Sequence, residues 1–248
     1  MSPMNEEIIW VCQRLDQRQF VANHDGNISA RLDGGKFLAT PTARGKVELT
    51  PHDLIIINED GEVLEGTGKV FSEWNIHRTI YQAQPDLQCI VHAHPPTLTA
   101  LGLHEKPLWV DYVPEAVVSL GSEIPCLPIL TPNSDDLFHL IKKATPLCVA
   151  MMVAGNGIFS FGHDLKTTYY RIELSEHLAG IIFQANAWGD RKPKTLDKNL
   201  RSILLKKHGA FIASCKKSTS LHEVQPNISQ PEIFQQIVDQ VVESFERS

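Results

Sequence analysis

Four short apolar runs, each closed by a turn cluster, are crowded between residues 28 and 64. They read as strands over residues 28–32, 36–39, 54–57 and 62–64, separated by Asp33-Gly34-Gly35, Thr40-Pro41-Thr42-Ala43 and Glu59-Asp60-Gly61. All of them precede the first long inner helix. Strands that follow one another through turns pair as antiparallel neighbours, so the spacing predicts a mixed or antiparallel sheet. A Rossmann-type alternation of strand and helix is excluded.

Helical periodicity frames that core. Ile8, Ile9, Val11, Cys12 and Leu15 predict a first helix over residues 5–20, and a second is predicted over residues 72–84 with Ser72 as its cap and Glu73 in its first turn. A strand over residues 87–94 stops at Pro95-Pro96, and a short helix follows over 97–103. Strands are expected over 114–120 and 126–129, and a helix capped by Ser134 over 135–144. The strongly apolar run 148–153 turns through Ala154-Gly155-Asn156-Gly157 into a strand over 158–161. The longest helix is predicted over 164–188, and a break at 189–193 sets off a tail with helices over 196–208 and 231–245. One domain over residues 1–190 with a helical extension over 191–248 is the expected organisation.

The composition narrows the class of partner. The chain has 29 acidic against 23 basic residues, a net charge of -6, and its Lys and Arg are scattered, which argues against a nucleic-acid interface. No apolar run approaches the length of a membrane span, and the first residues do not read as a signal peptide, so no membrane partner and a cytoplasmic location are expected. The cysteines are 5 in number, scattered and without a CxxC pair, which points to free thiols.

The chemistry is concentrated in Val91-His92-Ala93-His94. Residues two apart on a strand face the same side, so both imidazoles enter one volume, where they could bind a divalent metal or serve as hydrogen-bonded strand-end histidines. Glu73 is either a helix-dipole partner or, beside a metal, a proton carrier. His77, four residues on along the same helix face, could contribute to the site but reads first as a helix-surface or core-edge residue.

Gly26-Asn27-Ile28-Ser29, Thr40-Pro41-Thr42-Ala43, Ser72-Glu73-Trp74 and Val91-His92-Ala93-His94, in that order and at those separations, resemble the class II aldolase/adducin family over residues 6–187. The resemblance implies a three-layer α/β/α fold around a largely antiparallel sheet, and a homotetramer with sites at subunit boundaries. It implies His92 and His94 as metal ligands, most often to zinc, with manganese, iron or cobalt as alternatives, and Glu73 as catalytic acid/base able to approach the metal. It also implies Asn27, Thr42, Ala43 and Ser72 as the phosphate-holding group. Ala43 stands where the family usually has Gly, and Phe71 replaces a frequent second Ser.

The family's third histidine ligand has no counterpart, because Asn156 occupies its place. Three readings stay open: a site of His92, His94 and Glu73 completed by Asn156 or water, recruitment of another histidine, or loss of the metal as in the adducin branch. His208-Gly209 imitates the absent motif but reads as a helix terminus. Tyr112 and Glu115 are candidates for a second proton donor supplied across the subunit boundary. The expected function is cleavage of a small phosphorylated keto-sugar by a metal-dependent lyase. Epimerase, dehydratase and non-catalytic readings are the alternatives.

Overall fold

Strand β1 (Asn27–Arg31) lies at the centre of the sheet because its alternate residues serve two cores. Ile28 and Ala30 enter the cluster on one face, whereas Asn27 and Ser29 face the other. The computed structural model describes residues 2–189 and 191–217. Within them, β1 pairs on one side with β2 (Phe37–Ala39), which continues to β3 (Ile55–Ile57) and β4 (Val63–Glu65). The other side pairs with β5 (Cys89–Ala93). A separate antiparallel pair joins β6 (Leu108–Trp109) to β7 (Glu123–Ile124) across an intervening helix. Beyond β5 come β10 (Ile158–Gly162), β9 (Ala150–Val153) and β8 (Cys126–Leu127), which makes a sheet of 8 strands. Every pairing is antiparallel except β8 with β9. The expected mixed, mostly antiparallel sheet is present.

Helices cover both faces. One layer contains α1 (Pro3–Gln17), α3 (Pro96–Gly102), α4 (Pro114–Leu120) and α6 (Leu165–Ala187), with α7 (Lys198–Lys217) packed on α4. The other contains α2 (Trp74–Ala83) and α5 (Asp135–Ala144). The apolar residues divide accordingly. Cys89, Val91 and Ala93 join the first core, and Ile90 joins the second with Trp74, Ile80, Leu140 and Phe159. Two carboxylates tie helices together in the first layer. Glu173 on α6 accepts from Arg14 and Arg18 of α1 at 3.0 and 2.6 Å. Glu176 accepts from the backbone amides of Thr97 and Leu98, at 2.9 and 2.8 Å, and so anchors the chain just beyond His94.

Three local expectations are corrected. Residues 114–120 form a helix: Pro114 occupies its first turn, and Gly121 ends it at φ 92°. Ser72 does not cap α2. Glu73 holds the N-cap position, and Ser72 donates to its carboxylate instead. The helix expected to end at His208 runs on to Lys217, with Gly209 in open space, so His208 is an interior helix residue. Ser134 does cap α5, accepting from the Leu137 amide at 3.3 Å. The helix expected over 231–245 lies outside the described residues.

Candidate active site

The row Asn27–His92–Phe159 runs straight across β1, β5 and β10, and its side chains point toward α2. That direction follows from the strand's period of two, since Val91 and Ala93 are committed to the opposite core. His92 lies flat on Phe159, with ring centroids 3.9 Å apart and planes 7° from parallel. Its Nδ1 is 3.0 Å from the Ile158 carbonyl oxygen. A carbonyl can only accept, so Nδ1 carries the proton and Nε2 presents a lone pair. Burial pushes the His92 pKa well below the ordinary histidine range, with neighbouring His94 acting in the same direction.

His94 lies one residue past the strand, and its amide donates to the Phe20 carbonyl at 2.8 Å. Its Nε2 is 3.0 Å from Nε2 of His92, and its Nδ1 is 3.8 Å from the Asp25 carboxylate. Two glycines hold this arrangement by close approach. A Cβ on Gly26 would come within 2.9 Å of the His92 carbonyl, and one on Gly157 would come within 2.8 Å of the His94 ring. Both have positive φ, which suits glycine.

Glu73 enters from the start of α2. Its Oε2 accepts from Asn27 Nδ2 at 3.1 Å and from Ser72 Oγ at 3.0 Å. Asn27, Thr42, Ser72, Glu73 and His94 line one cleft of about 190 Å³. The Asn27 Oδ1 is buried without a protein partner among the described residues. Such an atom calls for a donor from water or ligand. Thr42 gives its amide to the Lys69 carbonyl at 2.9 Å, and Ala43 beside it is held at φ 57°. A larger groove of about 320 Å³ between α2 and α5 holds no comparable set of converging groups, so the smaller cleft is the better candidate.

Other expected residues lie elsewhere. Tyr112 is half-buried against the first core and Glu115 is exposed at the start of α4, and neither lines this cleft. Asn156 is half-buried in the turn whose next residue, Gly157, rests against His94. His77 is neither on the surface nor at the core edge, being 0% exposed beneath the cleft wall formed by Phe71. It belongs to a buried network with Ser29 and Tyr81. One proton arrangement satisfies all its bonds: Tyr81 donates to the Ser29 carbonyl, Ser29 Oγ to Tyr81, and His77 Nδ1 to Ser29 Oγ. His77 Nε2 is left as a buried, unpartnered acceptor. Sequence reasoning passed over Lys46 as well, a turn lysine that proves to be buried.

The donor set can be tested against a divalent ion. Two imidazole nitrogens on one tetrahedral zinc stand about 3.3 Å apart, given Zn–N bonds of about 2.0–2.1 Å. The observed 3.0 Å between His92 and His94, with a hydrogen-bonded outer nitrogen on His92, fits two such ligands. Among the described residues, no cluster of three or more His, Cys, Asp or Glu side chains assembles a complete site.

A three-layer α/β/α fold with a His-x-His strand facing a helix-start glutamate defines the class. Residues 6–183 match the family described as Class II Aldolase and Adducin N-terminal domain, and the chain belongs to that family. It is 32% identical over 184 residues to a 3-oxo-tetronate 4-phosphate decarboxylase of Pectobacterium atrosepticum, covering 73% of this chain and 82% of that one. It is 26% identical over 203 residues to a 5-methylthioribulose-1-phosphate/5-deoxyribulose-1-phosphate aldolase of Escherichia coli, covering 81% and 93% of the two chains. The solved structure of YgbL from Klebsiella pneumoniae is similar at a TM-score of 0.72 and 28% identity, covering 81% of this chain and 96% of that one. No helix of the described residues is long and apolar enough to cross a membrane.

Proposed function

We propose that this protein is a divalent-metal-dependent lyase that cleaves a small phosphorylated keto-sugar by retro-aldol chemistry. The observation that carries the reading is the convergence of His94 and the Asn27–Glu73 pair on one cleft, with the buried His92 Nε2 3.0 Å from that of His94. His92, His94 and Glu73 would hold the ion, with Asn156 or water completing the shell, and zinc is the first candidate. When bound, the ion supplies Lewis-acid stabilisation of the charge that develops as the carbon–carbon bond breaks.

The protein groups do the rest. Asn27 and Ser72 occupy Oε2 of Glu73, leaving Oε1 as the atom that takes a proton from the substrate and returns it. Thr42, Ser72, Asn27 and the Ala43 amide form the polar end that would fix the phosphate, supplying position. Tyr112 and Glu115 lie outside this chain's own cleft, so a second proton donor from them requires a neighbouring subunit, as in a homotetramer. Residues 1–190 are read as the domain that carries the site, and of the extension over 191–248 the described part contains α7. A cytoplasmic location is part of the same reading.

One observation favours a second reading, a non-catalytic binding protein. The turn beside His94 carries an amide, Asn156, where the family places an imidazole. The Escherichia coli and Pectobacterium relatives are named for different reactions, which keeps epimerisation, dehydration and decarboxylation as variants on one scaffold. The test is to incubate zinc-loaded protein with a panel of ketose 1-phosphates and follow dihydroxyacetone phosphate release. Release that is abolished in Glu73→Gln supports the lyase. Product of another type assigns a sister reaction, and no turnover in any metal form supports the non-catalytic reading.

A further inference from the structure

Lys46 is 2% exposed, an unusual position for a lysine without a carboxylate partner. Its Nζ donates to the carbonyls of His24 and Arg44, each at the long distance of 3.4 Å, and among the described residues it forms no ion pair. Two weak neutral bonds do not offset the cost of taking an ammonium out of water. Burial accordingly lowers its pKa, while Cys12, Asp25 and Glu73 pull it back up. Two of those three, Asp25 and Glu73, line the cleft, as does His24, whose carbonyl Lys46 holds.

The position is specific. Residues 24–27 and 41–42 line the cleft, and Lys46 is bonded to the His24 carbonyl in the first segment and to the Arg44 carbonyl two residues beyond the second. The cleft's own donors, Thr42, Ser72 and Asn27, are neutral. The nearby Arg44 guanidinium is turned to Asp53 at 3.1 Å. Lys46 is therefore a fixed cation placed behind this pocket. In a region of reduced dielectric its field at an anion is far stronger than that of a solvated lysine.

We propose that Lys46 is a positioning residue that makes the cleft select a doubly charged phosphate ester, by tying the His24 wall to the chain that follows Thr42 and placing buried positive charge behind the cleft. The inference rests on the phosphorylated-substrate reading. It adds a residue whose charge, and not its contact with the reacting atoms, sets ligand choice.

Inorganic phosphate is the probe, titrated calorimetrically into the full-length protein at several salt concentrations. Lys46→Met keeps the length and removes the charge, Lys46→Gln is a second neutral variant, and Lys46→Arg restores the charge. The expected result is that both neutral variants fold by circular dichroism and bind phosphate at least about tenfold more weakly at every salt concentration, because salt screens a buried charge little. Lys46→Arg should recover the larger part of that binding. Undiminished phosphate binding in a folded neutral variant overturns the proposal, and so does unfolding of both neutral variants, which would make Lys46 a structural anchor. If Thr42→Val and Ser72→Ala weaken phosphate binding while the Lys46 variants do not, the phosphate reading stands and the role of Lys46 falls. If the unaltered protein binds no phosphate at millimolar concentration, both fall.

Discussion

Asn27 donates its side-chain amide to the Glu73 carboxylate across 3.1 Å, which joins the first residue of β1 to the start of α2. Among the described residues, the bond leaves Glu73 with one carboxylate oxygen engaged, and Asn27 Oδ1 is buried without a partner. A proton carrier has to be aimed as well as ionised, and this bond aims it.

Asn27→Leu removes the bond while keeping the side chain's size. Glu73 then loses one of the two side-chain bonds that aim it, and we expect lyase turnover to fall by about 10²-fold, the scale of a misplaced catalytic group. Stability should change by only about 1 kcal/mol, because the buried orphan acceptor disappears along with the bond. Steady-state rates together with urea denaturation check this. Unchanged turnover would remove Asn27 from the site.

Ala43 is held at φ 57°, a left-handed conformation that costs a residue with a Cβ about 1–2 kcal/mol. Ala43→Gly removes that strain but admits more unfolded conformations, which costs about 0.4–1 kcal/mol. The net expectation is a small gain in stability, between zero and about 1.6 kcal/mol. Ala43→Val should be clearly destabilised. Thermal melts of the three proteins give the order Gly, Ala, Val, and any other order contradicts the assigned backbone.

His77 is buried, and its pKa falls from 6.5 to about 3 through desolvation. The folded state therefore refuses a proton that the unfolded state accepts between those values. The sign follows: this contribution is complete above pH 6.5 and is lost as the pH falls, by about 1.4 kcal/mol per pH unit. His77→Phe should flatten the fall in stability between pH 6.5 and 5 by up to that amount. Denaturant midpoints across the range measure it, and an unaltered slope would show that His77 is hydrated.

Much of this was legible in the chain itself. His92 and His94 share a face because a strand has period two, and the alternation of Val91 and Ala93 with Ile90 says which core each side serves. Residues 114–120 misled because Ala-Val-Val-Ser-Leu has strand composition, yet Pro114, Glu115 and Gly121 are a helix start and stop. His208 resembled a helix end because Gly209 follows it. Tertiary packing overrides that signal, since α7 continues and His208 donates to the Val118 carbonyl at 2.8 Å. The burial of Lys46 and His77 had no sequence signal. Each depends on which surface a turn or a helix face meets, a property of the assembled layers.

The central claim is that His92 and His94 are ligands, and zinc titration of the metal-free protein tests it most directly, with manganese and cobalt in parallel. The claim predicts one equivalent bound in the parent, none tightly bound in His92→Ala, and tighter zinc binding in Asn156→His, whose new imidazole would sit in the turn that already rests on His94. A parent that binds none of the three ions at high micromolar concentration, or a His92→Ala protein that binds zinc as tightly as the parent, would contradict it.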